Sequence, residues 1–166
     1  MIADLVTSIA AELTSRGLML STAESCTGGL VAAACTDLAG SSAWFDRGFV
    51  TYSNAAKHEM LGVPLALIEQ HGAVSEAVAG AMALGASTER AVLKSQAQVA
   101  ISITGIAGPS GGSLDKPVGT VCFGWAVAGV CKTETVLLMG DRASIRAQAT
   151  HYALSELLRL LKQNLT

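Results

Sequence analysis

The chain has 166 residues, 51% of them hydrophobic and 14% charged, with 11 Lys and Arg against 13 Asp and Glu for a net charge of −2. This length and composition suit one domain with a dense core, and a near-neutral balance with no basic stripe argues against a nucleic acid partner. Gly, Ser, Thr or charged residues interrupt each apolar run short of the ~20 residues that span a bilayer, so no membrane association is expected.

Residues 2–16 place Ile2, Leu5, Val6, Ile9, Ala10 and Leu13 on one helical face, ended by Gly17. Leu18–Ala23 reads as a buried strand, and Thr27–Leu38 as a helix entered through Gly28-Gly29 and broken by Gly40-Ser41-Ser42. A strand over Arg47–Tyr52 precedes a short helix from Asn54 to about Met60, which Gly62 and Pro64 terminate. Pro64 to His71-Gly72 frames another short helix, with Pro at its first position. Ser75-Glu76 opens a longer helix to about Leu93. Val99–Thr104 reads as a strand running into a loop rich in Gly, Pro and Ser, from Gly105 to Pro117. Gly119–Ala128 and Lys132–Met139 read as a hairpin. Asp141 caps a C-terminal helix that buries Ile145, Ala149, Tyr152, Leu154 and Leu158. Helices between the first strands and a hairpin near the end predict an α/β fold, a three-layer α/β/α single domain with a mixed sheet over residues 1–166.

The opening Met1-Ile2-Ala3-Asp4-Leu5 lacks the basic region of a secretory signal. Cys26, Cys35, Cys122 and Cys131 sit mostly in apolar segments without CxxC spacing, which reads as reduced thiols in a cytoplasmic protein. His58, His71 and His151 are scattered, so no metal is expected.

The chemistry concentrates where the first strand meets the next helix. In Thr22-Ala23-Glu24-Ser25-Cys26-Thr27-Gly28-Gly29, Ser25 stands at that junction, where free backbone N–H groups and the helix dipole favour developing negative charge. Ser at such a junction is also an ordinary N-cap, a role that Thr27 fills equally well. A hydroxyl nucleophile needs a base, and none of the three histidines sits in a recognisable catalytic setting. A lysine whose pKa is lowered by burial can serve instead. Lys57, in Tyr52-Ser53-Asn54-Ala55-Ala56-Lys57, is the candidate, because it and Tyr52 straddle a strand end and a helix start and so can face one crevice. The plainer alternative is a solvated Lys and a surface Tyr. Lys94, Lys116, Lys132 and Lys162 are other amines, in loop, turn or terminal contexts. Cys26 competes with Ser25, since the same helix start would stabilise a thiolate. The loop Gly105–Gly112 offers backbone N–H groups to a phosphate or an oxyanion, without a Walker A or GxGxxG pattern. Arg142 is placed to contact an anion.

The first of these segments, with Gly40-Ser41-Ser42-Ala43-Trp44-Phe45, Gly48-Phe49-Val50-Thr51-Tyr52-Ser53-Asn54, Lys57 and His71-Gly72-Ala73-Val74-Ser75-Glu76, resembles the CinA C-terminal domain family. Gly105-Ile106-Ala107-Gly108-Pro109-Ser110-Gly111-Gly112, Lys116-Pro117-Val118-Gly119-Thr120-Val121 and Gly140-Asp141-Arg142 extend the resemblance over nearly the whole chain. Longer members carry a further N-terminal domain similar to molybdopterin-binding proteins; it is absent from this sequence, and its pyrophosphatase activity is not expected. The resemblance implies hydrolysis of the carboxamide of nicotinamide mononucleotide to nicotinate mononucleotide and ammonia, a step of pyridine nucleotide salvage. It places the family's serine nucleophile on Ser25, its tyrosine on Tyr52 and its lysine on Lys57.

The expected scheme has Lys57 drawing a proton from Ser25, directly or through Tyr52. Ser25 attacks the amide, and N–H groups near Thr27-Gly28 or Gly105-Ile106 hold the oxyanion. Thr27, Gly28, Gly105, Ile106, Ala107, Gly108 and Arg142 are the expected substrate-binding residues. The scheme requires no cofactor, its partner is a small-molecule nucleotide, and an apolar chain of this kind is expected to form homo-oligomers. The alternative is a non-catalytic module that binds a pyridine nucleotide for regulation.

Overall fold

Alternation along the strands sorts the buried side chains into two cores, one on each face of a single sheet. The computed structural model describes residues 1–87 and 96–163. Five strands, β1 (Leu20–Glu24), β2 (Phe45–Val50), β3 (Val99–Gly105), β4 (Thr120–Val127) and β5 (Val130–Leu137), lie in the order β2-β1-β3-β4-β5. β1 runs parallel to β2 and β3, while β4 and β5 are antiparallel additions. The expected three-layer mixed-sheet architecture is the one observed.

Leu20, Ile101, Ile103, Phe123 and Trp125 pack beneath α1 (Ile2–Ser15), α2 (Leu30–Thr36) and α6 (Arg142–Gln163). The opposite face belongs to α3 (Asn54–Leu61), α4 (Leu65–His71) and α5 (Glu76–Ala86). Small side chains let α5 lie close to that face. A Cβ at Gly124 would stand 2.6 Å from Ala79 O. The buried hydroxyls of Ser21 and Ser102 donate to the α5 carbonyls of Ala86 and Ala79. α3 crosses α5 just as tightly, since a Cβ at Gly85 would fall 2.0 Å from Leu61 O. That crossing sets the distance at which α3 delivers its side chains to the sheet.

Several boundaries differ from the sequence expectation. The helix expected over Thr27–Leu38 is shorter, because Gly28 (φ 60°) and Gly29 (φ 102°) hold left-handed conformations that make a turn before Leu30. The strand expected at Arg47–Tyr52 spans Phe45–Val50, which leaves Tyr52 in the connection to α3. α5 ends at Ala86, and the continuation expected to Leu93 runs into residues outside those described. The hairpin turn is Ala128 (φ 52°) and Gly129 (φ 78°), the two positive-φ residues that match the strand twist. Asp141 caps α6 as expected, its carboxylate accepting from Ser144 N at 2.8 Å.

Candidate active site

From the carboxyl end of β1 the chain turns one way to β2 and, after β2, crosses to β3 on the other side. Such a reversal opens a crevice at the strand ends, the usual ligand position in α/β sheets. Ser25 follows β1 directly. Its main-chain N–H donates to Ile103 O at 2.9 Å, so pairing with β3 continues one residue past the strand and holds the serine backbone.

Lys57 reaches Ser25 from α3. Ser53 starts this helix, its hydroxyl accepting from Ala56 N at 3.0 Å. Lys57 is 1% exposed, and its Nζ lies 3.0 Å from Ser25 Oγ, 2.9 Å from Thr51 O and 3.2 Å from Tyr52 O. A neutral amine has two N–H donors and one lone pair. As placed, Nζ donates to all three oxygens and the Ser25 hydroxyl points to Tyr52 O at 3.5 Å; a neutral amine would keep the two carbonyls as acceptors and turn its lone pair to the serine hydroxyl. Burial lowers the Lys57 pKa from its ordinary 10.5, with the nearby Cys26 acting in the opposite sense.

The turn after Ser25 is braced from two sides. Glu24, 1% exposed, accepts from Val31 N at 2.9 Å and Ala32 N at 3.0 Å. The free N–H groups expected at the start of α2 are therefore partly consumed by a carboxylate, which also answers the helix dipole. Arg146, on α6, donates from Nε to Cys26 O at 3.0 Å and from Nη2 to Thr27 O at 3.1 Å. The Gly28 N–H donates to Ser25 O at 3.0 Å. Among the described residues the Thr27 N–H meets no acceptor, and the fully buried Thr27 hydroxyl has no partner either.

Tyr52 sits differently from its expected place beside Ser25. Its side chain is 61% exposed, and its phenol accepts from Arg142 Nη2 at 3.1 Å. Tyr52 reaches the serine–lysine pair through its main-chain carbonyl. Arg142 Nη1 donates to Gly108 O at 2.8 Å, so one guanidinium joins the β2–α3 connection to the glycine loop.

That loop owes its glycines to close packing. A Cβ at Gly108 would meet Val118 Cγ1 at 2.4 Å, and one at Gly112 would meet Val118 N at 2.7 Å. Ile106 N donates to Thr120 O at 2.9 Å, which removes it from the N–H groups expected to hold an oxyanion. Ala107 is buried in the core rather than facing the crevice. Gly105 approaches Cys26, where a Cβ would stand 3.1 Å from Sγ.

Cys26 is itself a core residue, and burial pushes its thiol up to about 11 despite the Arg146 charge. A thiol so placed stays protonated at neutral pH, which weighs against Cys26 as a nucleophile. Lys116 donates to His71 O at 2.8 Å and Lys132 pairs with Glu156, while Lys94 lies outside the described residues. Two grooves of about 440 and 420 Å³ are lined by neither Ser25 nor Lys57. The Ser25–Lys57 pair is marked out by its hydrogen bonding rather than by concavity.

Glu24 and Arg146, which brace the turn after Ser25, are the positions at the candidate site that sequence reasoning missed. The signal for Arg146 is its spacing of four from Arg142 on one helix, which puts both on one face. Glu24 offered an acid just ahead of a helix start.

A family model described as the CinA C-terminal domain matches residues 2–161. A nicotinamide-nucleotide amidohydrolase PncC of Enterobacter agglomerans is 53% identical over 162 residues, covering 97% of this chain and 96% of the relative. The protein of that name from Escherichia coli strain K12 is 54% identical over 153 residues, covering 92% and 90%. The crystal structure of competence/damage inducible protein CihA from Agrobacterium tumefaciens matches with a TM-score of 0.89 at 46% identity, covering 98% of this chain and 96% of that one.

Proposed function

The chain belongs to the CinA C-terminal domain family, and on that premise we propose that it is a single-domain serine amidohydrolase acting on nicotinamide mononucleotide. The observation that carries this reading is the buried Lys57 amine 3.0 Å from Ser25 Oγ, with two carbonyls taking its donors. The names of the relatives supply the substrate.

Ser25 Oγ attacks the carboxamide carbon while Lys57 Nζ takes the hydroxyl proton. Lys57, now cationic, returns that proton to the departing amine, and ammonia leaves an acyl ester on Ser25. Lys57 then takes a proton from water, which attacks the ester, and Ser25 Oγ is reprotonated as nicotinate mononucleotide departs. The proton passes directly between Ser25 and Lys57, and the Tyr52 phenol instead holds Arg142 at the mouth. Arg142, the strand-end Gly105 and the loop residue Gly108 supply the nucleotide's binding surface. The reaction serves pyridine nucleotide salvage in the cytoplasm. Exposed Val50, Leu65, Leu137 and Met139 support the expected self-association.

Ammonia release from nicotinamide mononucleotide, measured beside calorimetric binding of the same nucleotide, tests the reading. Turnover by the purified chain is the expected result. Binding by folded protein without any ammonia would overturn it in favour of a non-catalytic nucleotide-binding module.

A further inference from the structure

We propose that a second copy of this chain pairs along the free edge of β5, antiparallel about a two-fold axis at Thr133, so that one sheet runs through both protomers. The inference is independent of the amidase reading. β5 ends the sheet, and among the described residues only β4 pairs with it. It is eight residues long, keeps an unbroken register and holds no proline, the features that make an edge strand a template for another strand. The opposite edge is less suited, because β2 is shorter and its pairing with β1 shifts between Leu20 and Ser21.

Hydrogen-bond parity and charge together fix the register. Val127 and Val130 close the two-residue hairpin turn, so Val130, Lys132, Glu134 and Val136 exchange main-chain bonds with β4. The main-chain groups of Thr133 and Thr135 therefore point away from β4, and among the described residues no main-chain partner meets them there. Outward groups must meet outward groups, so an antiparallel partner can slip only in steps of two residues. With Thr133 opposite the partner's Thr133, Lys132 faces the partner's Glu134 and Glu134 faces the partner's Lys132. A two-residue slip sets Lys132 against the partner's Lys132 in one direction and Glu134 against the partner's Glu134 in the other. Like charges directly opposite disfavour both. Lys132 and Glu134 each keep 36% exposure, although Lys132 already bonds Glu134 at 3.2 Å and Glu156 at 2.6 Å. The same register brings Val130, 64% exposed, against the partner's Val136. On the other sheet face, a groove of about 420 Å³ lined by Ala77, Gly80, Ala81 and Leu84 opens beside Thr133. Continuing the sheet brings the partner's α5 to this groove, and its small side chains let two helices approach closely.

Sedimentation equilibrium of the purified chain tests the assignment. Wild type is expected as a dimer, at twice the mass of one chain. Lys132→Glu and Glu134→Lys should each raise the dimer dissociation constant roughly tenfold or more, since each turns both cross-strand pairs repulsive. Mixed in equal amounts, the two variants should recover dimers, because every cross-strand pair is then opposite in sign again. A wild type that stays monomeric at its highest soluble concentration overturns the proposal and leaves the edge to another protein's strand or to solvent. A dimer indifferent to both reversals overturns it by placing the contact on another face. Losses in the single variants that mixing does not repair overturn it as well, marking effects within one protomer. Should a reversal fail to fold, Thr133→Pro decides. Its N–H serves only the partner, and proline is tolerated at such an edge position, so a folded monomer is expected and a folded dimer contradicts the proposal.

Discussion

Lys57 Nζ stands 3.0 Å from Ser25 Oγ, and among the described residues none of its hydrogen-bond partners is a carboxylate. An amine buried without a counter-charge resists protonation, because its cation gives up water for dipoles alone. On the proposed mechanism this places the hydroxyl against the base that takes its proton.

This arrangement has a signature in pH. Burial lowers the Lys57 pKa below 10.5 in the folded chain, whereas the unfolded chain keeps the ordinary value. Between the two values the unfolded state binds more protons, so stability rises with pH through that window, and the full cost is present below it. Relative to Lys57→Met, wild type should gain stability as pH rises across the window, and its kcat/KM should climb on a limb centred below 10.5. Denaturant unfolding and pH–rate profiles check both. Parallel stability curves for the two proteins would contradict the burial argument.

Glu24 holds the start of α2 by two charge-assisted bonds in a dry setting. Glu24→Ala strands both donors and should cost about 2–3 kcal/mol in denaturant unfolding. Glu24→Gln, which retains an acceptor, should recover part of that. A loss within the ~0.5 kcal/mol typical of surface substitutions would show that the brace contributes little.

On the proposed mechanism Cys26 contributes packing and not the nucleophile. Cys26→Ala should keep kcat within about threefold and lose roughly 1 kcal/mol of stability through the missing sulfur. Iodoacetamide at neutral pH should leave wild-type turnover intact, since the thiol ionises at about 11. A dead, folded Cys26→Ala would transfer the nucleophile to sulfur.

Tyr52 separates two proton paths. With its phenol on Arg142 and its carbonyl on Lys57, Tyr52→Phe removes only the tie to Arg142. Steady-state kinetics should show KM rising several-fold with kcat reduced much less. A fall in kcat of order 10² with KM unchanged would restore the phenol as a relay between Ser25 and Lys57.

The residues that form the site stand in two short segments, and the sequence brings them into view because each has local meaning. Ser25 lies at a strand end, and Lys57 lies one turn into a helix that Ser53 caps. The layer order also follows from local patterns, since β1, β3 and β4 alternate between two apolar faces and their punctuation is glycine and proline. What stayed hidden depends on contacts across the chain. Arg146 acts on Cys26 and Thr27 from 120 and 119 residues away, and the Tyr52 phenol is captured by Arg142 from 90 residues away. The glycines of the 105–112 loop read as ligand-facing, whereas Gly108 and Gly112 are also required by the close approach of Val118. A glycine run cannot show in sequence what its backbone approaches.

The most direct test of the account is the initial rate of ammonia release from nicotinamide mononucleotide by folded Ser25→Ala beside wild type. Removing a nucleophile whose base has no other substrate should lower kcat by roughly 10⁴-fold or more, with nucleotide binding retained by calorimetry. Near-wild-type release from the folded variant would contradict the serine–lysine mechanism at its centre.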